Sequence, residues 1–322
     1  SSKKDKNIIF FGEGIDDPTS FFGTTKDLGK YISSNRLIEM PLSENAITGI
    51  AVGSAIMGKK PILSFHRVEF ALLAMEQIIN NAAKASYISN GLHKVPLIIR
   101  LIIGRGWGQG PEHSQSLETI FSSIPGLKVL VPTFPNDAKG MMNAAIKDNN
   151  PTVIIEHRYC HFIKENVPKN YFINDIKSPK KIINGRSITI VSYSYMTLEA
   201  IEAAEELKKL NIHVELFDLR VLNPLNIESI QKSVTKTRRL LIIDLGFKKF
   251  GIGSEISSQI YEKQFSKMIS PISRLGMPDH PVPSSRGYLK NLYPNSVKII
   301  IEVCRIFNIS NNKSKEIIKK IT

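Results

Sequence analysis

Val95-Pro-Leu-Ile-Ile-Arg-Leu-Ile-Ile103 runs directly into Gly104-Arg-Gly-Trp-Gly-Gln-Gly-Pro-Glu-His-Ser-Gln-Ser116. The first stretch is an almost unbroken apolar run of strand length, as expected of a strand covered on both faces of a parallel sheet. The second sets four glycines within seven residues ahead of a histidine. Glycine adopts positive φ without steric cost and lets a backbone approach a ligand closely. Open α/β sheets bind their ligands at the carboxyl ends of central strands, so His113 is the first candidate functional residue.

Outward from this stretch, short apolar runs alternate with longer periodic segments. Ile8–Phe11, Pro61–Phe65, Lys128–Val131 and Thr152–Ile155 read as strands. Glu44–Met57, Val68–Ser89, a segment from Ser116, and Asn136–Lys147 read as helices. In the Val68–Ser89 helix, Leu72, Met75, Ile79 and Ala83 are expected on one face. Between about Lys164 and Asn184, prolines, asparagines and lysines replace the apolar periodicity, which reads as a linker. The alternation then restarts, with strands in Arg186–Val191, His213–Phe217, Arg239–Ile243 and Ile272–Leu275. Helices are expected over Thr197–Leu210, near Ile227–Val234, after Gly251-Ile-Gly253 and over Ser296–Phe307. Strands alternating with helices imply mostly parallel sheets covered on both faces, in two doubly wound α/β domains.

Composition narrows the function classes. The 322-residue chain is 42% hydrophobic and 22% charged, as in ordinary globular proteins. No apolar run reaches the roughly 18–20 residues of a membrane helix, and the chain opens on Ser1-Ser-Lys-Lys-Asp-Lys6 without an apolar core segment. Cys160 and Cys304 lack metal-ligand spacing, so a reducing compartment is expected: the cytoplasm, or an organellar matrix. The net charge of +14 invites a nucleic-acid reading. Yet the lysines scatter through Lys3–Lys6, Lys177–Lys181 and Lys313–Lys320 with no interleaved aromatics, so a solvated basic surface is the simpler account and no nucleic acid is expected.

Taken singly, the other candidate residues have ordinary explanations. An acid at Glu44, before a helix and after Pro41-Leu-Ser, suits the helix dipole. Phe70 suits core packing, and His113 suits a turn. Asp148-Asn-Asn-Pro151 is a good helix stop. Gly251-Ile-Gly253 opens a helix without the full dinucleotide spacing, which favours close packing over an anion cradle.

Several stretches together say more. They are Pro41–Gly53, Met75–Lys84, Gly110-Pro-Glu-His-Ser-Gln-Ser116, Pro125–Val129, Asp137–Gly140, Asp148–Pro151 and Phe217-Asp-Leu-Arg-Val-Leu-Asn-Pro224. In this order and spacing they resemble the β subunit of the thiamine-diphosphate-dependent decarboxylating component of 2-oxo acid (pyruvate-type) dehydrogenase complexes, in the transketolase-like family. The resemblance covers essentially the whole chain. It implies a pyrimidine-binding domain over 1–175 and a transketolase C-terminal-type domain over 176–322.

It also implies roles. Glu44 corresponds to the glutamate that hydrogen-bonds the aminopyrimidine ring of thiamine diphosphate, and a carboxyl group in a dry pocket suits that proton-holding task. Phe70 corresponds to the aromatic residue packed on that ring, and Ile47 joins the cofactor-binding positions. His113 corresponds to a catalytic histidine near the reacting carbon. Leu97, Ala145, Ile146, Asp148 and Asn150 correspond to the oxygen ligands of a structural monovalent cation such as K⁺.

Family members hold the cofactor diphosphate through Mg²⁺ on a Gly-Asp-Gly motif, which is absent from this sequence. The resemblance therefore implies an α subunit that supplies the diphosphate and Mg²⁺ half, an α₂β₂ assembly, and engagement of a lipoyl acyltransferase core. The implied reaction is decarboxylation of a 2-oxo acid with transfer of the acyl group to lipoamide. One departure concerns the substrate: pyruvate-serving relatives usually carry apolar, small or amide residues just before the stacking aromatic, whereas this chain has His66 and Arg67. These point either to a polar or anionic substrate or into a subunit interface. They also keep open a heteromeric transketolase-like or acyloin-forming enzyme that transfers its unit to an aldehyde. His66 and His280 are candidate proton shuttles.

Overall fold

The apolar run at 98–103 is a strand buried along nearly its whole length, hydrogen-bonded to parallel neighbours on both sides. The computed structural model describes residues 5–17, 19–105, 108–289 and 292–309. Gly106 and Trp107 of the glycine-rich loop, Lys3 and Lys4, and the lysines at 313–320 lie outside the described residues.

In chain order the first strands are β1 (Ile8–Gly12), β2 (Leu37–Glu39), β3 (Lys60–Phe65), β4 (Ile98–Ile103), β5 (Lys128–Leu130) and β6 (Thr152–His157). They are followed by β7 (Lys180–Ile183), β8 (Ile188–Ser192), β9 (Val214–Asp218), β10 (Val221–Asn223), β11 (Leu240–Phe247) and β12 (Ser273–Met277). The α-helices are α1 (Glu44–Ile56), α2 (Ala85–Ile88), α3 (Glu118–Ser122), α4 (Pro135–Asp148) and α5 (Tyr195–Lys208). After these come α6 (Glu228–Thr237), α7 (Ile252–Gln264), α8 (Arg286–Leu289) and α9 (Ser296–Ile306).

The chain forms two units, an α/β pair as the sequence predicts. The first comprises residues 1–104, 120–176 and 222–224; the second comprises 105–119, 177–221 and 225–322. The glycine-rich loop carrying His113 thus belongs to the second unit.

The first unit holds a sheet of order β10-β5-β6-β4-β3-β1-β2. Ile98, for example, lies level with Ile62 on one side and Thr152 on the other. Helix α1 buries Ile47, Thr48, Ala51, Val52 and Ala55, a stripe at helical spacing, against the segment that begins at Val68. Small residues permit a close fit there: a side chain at Gly49 would meet the Gln77 carboxamide at 3.3 Å.

The segment at 68–89 corrects the expectation of one regular helix. Val68–Ala74 is a 3₁₀ turn, Gln77–Ala82 is a π-helix, and Ala85–Ile88 is a short α-helix. Its buried residues are Val68, Ala71, Ala74, Ile78, Ala82 and Ala83; of the residues expected inward, Ala83 is buried and Leu72 is exposed. The reason is periodic: a three-residue turn places positions 68, 71 and 74 in one line, and the wider π turn then carries that line to 78 and 82.

The second unit has a sheet of order β12-β11-β8-β9-β7. All its pairings are parallel except β7 against β9. Strand β7 corrects the linker reading of 164–184. Its lysines are those of an edge strand, where charge discourages further pairing. Lys181 forms an ion pair with the buried Glu215 carboxylate and lies 5.5 Å from the Phe217 ring centroid. At α7, Gly251 and Gly253 serve close packing: the Gly253 N–H donates to Asp244 Oδ1 at 2.8 Å, so the chain's own carboxylate occupies the helix start.

Candidate active site

In the first unit, candidate residues gather at the carboxyl ends of β1, β2 and β3. Glu39 ends β2 and accepts the N–H groups of Gly14 and Ile15 at 2.7 and 3.0 Å, fixing the turn after β1. Glu13 in that turn faces His66, which follows β3, with Nδ1 3.2 Å from Glu13 Oε2 and Nε2 2.8 Å from the Glu13 carbonyl. Burial pushes the Glu13 carboxyl above its usual pKa; His66 opposes this, and the nearby charges of Glu44 and Glu39 add to it.

Glu44 is the first residue of α1 and is 8% exposed, while Ile47 is buried one turn on. An acid that served the helix dipole alone would need no such withdrawal from solvent. Phe70 lies in the 3₁₀ turn packed against α1 and is half-buried. A withdrawn carboxyl group and an aromatic side chain thus stand on neighbouring elements, the residue types expected to meet an aminopyrimidine ring.

Arg67 is buried beside this group, its guanidinium 5.3 Å from the Phe22 ring centroid. Burial lowers the Arg67 pKa, and the charge of Glu69 opposes that. The same Phe22 ring carries a second guanidinium at 3.8 Å, from Arg158 just after β6. Sequence reasoning passed over Arg158; the available signal was a cation immediately following a buried strand.

The expected cation loop ends α4. Asn149 takes the left-handed conformation there at φ 56°. Asn150 Nδ2 donates to Asp148 Oδ1 at 2.6 Å and to the Asp148 carbonyl at 2.9 Å, and Lys128 forms an ion pair with the same carboxylate. The Leu97 carbonyl accepts the Thr152 N–H at 2.9 Å and retains a second lone pair. Ala145 and Ile146 lie in the last turn of α4, whose carbonyls have no onward helical partner. Neutral carbonyls at a helix C-terminus suit a monovalent cation, while the carboxylate already has an ammonium partner.

In the second unit, the His113 loop is anchored at both ends. Arg105 is buried with its guanidinium 3.6 Å from the Tyr293 ring centroid and 5.8 Å from that of Tyr195. Glu118, 1% exposed, accepts the Tyr193 hydroxyl at 2.9 Å and the Gly246 N–H at 3.1 Å. Between these anchors, Gly108 and Gly110 have φ of 73° and 69°, and a side chain at Gly110 would lie 2.7 Å from Ser284 Oγ. His113 itself is half-buried. His280, exposed and 2.6 Å from the Pro281 carbonyl, lines a recess of about 380 Å³ with Pro111, Glu112 and Gln115.

Beneath the loop, Asp244 and Glu118 flank Tyr193. Burial raises Asp244 to about 7, opposed by the Gly253 N–H and reinforced by Glu118. Burial also raises Glu118, and raises Tyr193 well above its ordinary value with the two carboxylates adding to the effect. Glu118 was not singled out in the sequence, because an acid opening a short helix reads as a dipole partner.

The transketolase pyrimidine-binding domain family matches residues 1–160, and the transketolase C-terminal domain family matches residues 180–299. The pyruvate dehydrogenase E1 component subunit beta of Porphyra purpurea is 38% identical over 281 residues, covering 87% of this chain and 85% of the relative. The mitochondrial pyruvate dehydrogenase E1 component subunit beta of Bos taurus is 34% identical over 312 residues, covering 95% of this chain and 87% of the relative. Among solved structures, an inactive β4 tetramer of a split-gene transketolase superposes with a TM-score of 0.75 at 19% identity, covering 96% of this chain and 94% of that one. The last likeness concerns the fold; the sequence matches over most of both chains establish that this chain belongs to the transketolase-like family of pyruvate dehydrogenase E1 component β subunits.

Proposed function

We propose that this chain is the β subunit of a thiamine-diphosphate-dependent 2-oxo acid dehydrogenase, completed by an α subunit and passing the acyl group to lipoamide. The observation that carries the reading is Glu44, withdrawn from solvent at the start of α1 against the segment that bears Phe70. Thiamine diphosphate supplies, when bound, a nucleophilic carbon and an electron sink for loss of carbon dioxide. Glu44 holds a proton on its carboxyl group toward the aminopyrimidine nitrogen, Phe70 and Ile47 seat the ring, and His113 moves a proton at the substrate oxygen. Leu97, Ala145, Ile146, Asp148 and Asn150 are the residues that would hold a monovalent cation, which would brace the end of α4.

The diphosphate and its Mg²⁺ fall to the α partner, because this sequence carries no Gly-Asp-Gly. Exposed apolar side chains on and around α1 and the 68–92 segment, including Ile50, Met57, Leu73, Tyr87, Ile88 and Leu92, support burial by a partner in an α₂β₂ assembly. A lipoyl acyltransferase core is the expected acyl acceptor. The functional boundary is placed between 175 and 176, with the 105–119 loop serving the second domain. No helix among the described residues is long and apolar enough to cross a membrane, and the cytoplasm or an organellar matrix is the proposed location.

The test is ferricyanide-linked oxidation of pyruvate, branched-chain and anionic 2-oxo acids by the chain co-purified with its α partner, Mg²⁺ and thiamine diphosphate. Turnover of one of them is expected. Silence across the panel with cofactor bound would overturn the reading.

A further inference from the structure

In the second unit, chain order and strand order diverge at β8, which pairs in parallel with β9 on one side and β11 on the other. Open α/β sheets bind ligands at such a point, outside the carboxyl ends of the strands. Here the chain fills that position with the end of its own His113 loop. Tyr193 follows β8 directly and Gly246 lies near the end of β11. Glu118 bridges the two, accepting the Tyr193 hydroxyl at 2.9 Å and the Gly246 N–H at 3.1 Å. The fit is close: a side chain on Gly246 would come within 2.9 Å of Glu118 Oε1 and 3.1 Å of the Ser116 carbonyl oxygen.

Asp244, on β11, completes this crevice. It is fully buried, and its Oδ1 accepts the Gly253 N–H at 2.8 Å. Side chains on Gly251 and Gly253 would come within 2.8 and 2.6 Å of its Oδ2, so α7 is packed against the carboxyl group. The groups that act on Asp244 are the Gly253 N–H, Glu118, Arg274 and Tyr193. Those that act on Glu118 are its own N–H, Tyr193, the Gly246 N–H and Arg105. A tyrosine hydroxyl carries one hydrogen, and that of Tyr193 goes to Glu118. An ionised Asp244 would compete for this hydrogen and repel Glu118, whereas a neutral one leaves the bond in place. Burial raises Asp244 to about 7, which keeps the carboxyl neutral below that pH.

We propose that Tyr193 and Asp244 are positioning residues for His113, acting on it through Glu118, which seats the loop at the ligand position of the second unit. This rests on the decarboxylase reading above, in which His113 moves a proton, and adds the residues that fix where it stands. Neither side chain touches the substrate. A proton-transfer group gains its effect only within hydrogen-bond reach of the reacting atom, so a loosened seat lowers kcat while cofactor binding is retained. The seat also has a pH limit: it holds while Asp244 is neutral and loosens as pH rises through about 7.

Two arms test the seat. In the first, amide hydrogen exchange is followed in the full-length chain with its α partner. Tyr193→Phe is expected to lower protection of the 108–118 amides about 10-fold and to leave those of β4 unchanged. Unaltered loop protection in a folded Tyr193→Phe overturns the proposal whether or not the chain is a decarboxylase. In the second arm, kcat is measured with the 2-oxo acid turned over best in the ferricyanide assay. Tyr193→Phe should lower kcat about 10-fold with thiamine diphosphate affinity unchanged, and should cause no further loss in a His113→Ala background. An equal loss in both backgrounds makes Tyr193 merely structural and overturns its assigned role. Wild-type kcat should decline between pH 6 and pH 8 relative to Asp244→Asn, which cannot ionise; identical profiles remove Asp244 from the seat. Full turnover by His113→Ala counts against the site reading instead, and the exchange arm still decides the seat.

Discussion

The two units treat buried charge in opposite ways. In the second, Glu118, Tyr193 and Asp244 are buried together, with the Tyr193 hydroxyl and the Gly246 N–H donating to Glu118 and the Gly253 N–H donating to Asp244. In the first, Glu13, Arg67 and Arg158 follow β1, β3 and β6, the two arginines meeting the Phe22 ring, while Glu44 opens α1. Buried polar groups bonded to one another rigidify a scaffold, and polar groups at the carboxyl ends of parallel strands lie where such folds bind ligands. The buried set of the second unit anchors the loop that carries His113, and the group in the first unit is where we propose that the cofactor ring binds.

The largest effect that would sharpen this contrast concerns Glu118. Glu118→Ala leaves the Tyr193 hydroxyl and the Gly246 N–H without their acceptor and is expected to cost about 2–4 kcal/mol, read by urea denaturation. Arg158→Gln, at the half-buried residue after β6 in the first unit, should cost far less stability. Equal losses in the two variants would erase the distinction between scaffold and site.

Asp244 supplies a pH signature. Its folded pKa of about 7 lies above the roughly 3.9 of an unfolded aspartate, so the native state keeps a proton that the unfolded chain releases. Its contribution to stability is therefore complete at low pH and is lost as pH rises from about 4 through about 7. Glu118, Tyr193, Arg274 and the Gly253 N–H face it, and Asp244→Asn retains an acceptor for that N–H. Denaturation at pH 5 and pH 8 should show the wild type losing more stability on going to pH 8 than the variant does. A loss of equal size in both would remove Asp244 from the account.

The smallest effect belongs to the loop. Gly110→Ala forces a side chain into positive φ and toward the Ser284 hydroxyl, which can rotate away, so a cost of about 1 kcal/mol is expected from thermal unfolding. A stabilised variant would show that this glycine is not required by the backbone.

How much was legible follows from range. The strand at 98–103 was readable because a strand buried on both faces needs little more than apolar residues, and the α1 stripe because its period is regular. The 68–82 segment misled because 3₁₀ and π turns depart from the 3.6-residue period that places Leu72 inward. The 105–119 loop belongs to the second unit, where Glu118 meets Tyr193, 75 positions away, a pairing no local pattern encodes. Arg67 was visible beside the expected stacking position, whereas Arg158 gains its meaning only when Phe22 brings the two cations together.

The most direct test is Glu44→Gln in the chain co-purified with its α partner, following thiamine diphosphate binding by calorimetry and 2-oxo acid oxidation by ferricyanide. Glutamine fills the same space but cannot exchange a carboxyl proton. The account predicts an assembled complex that still binds the cofactor while turnover falls by at least about 100-fold. Turnover at the wild-type rate would contradict it, because Glu44 would then not be the group that holds the proton.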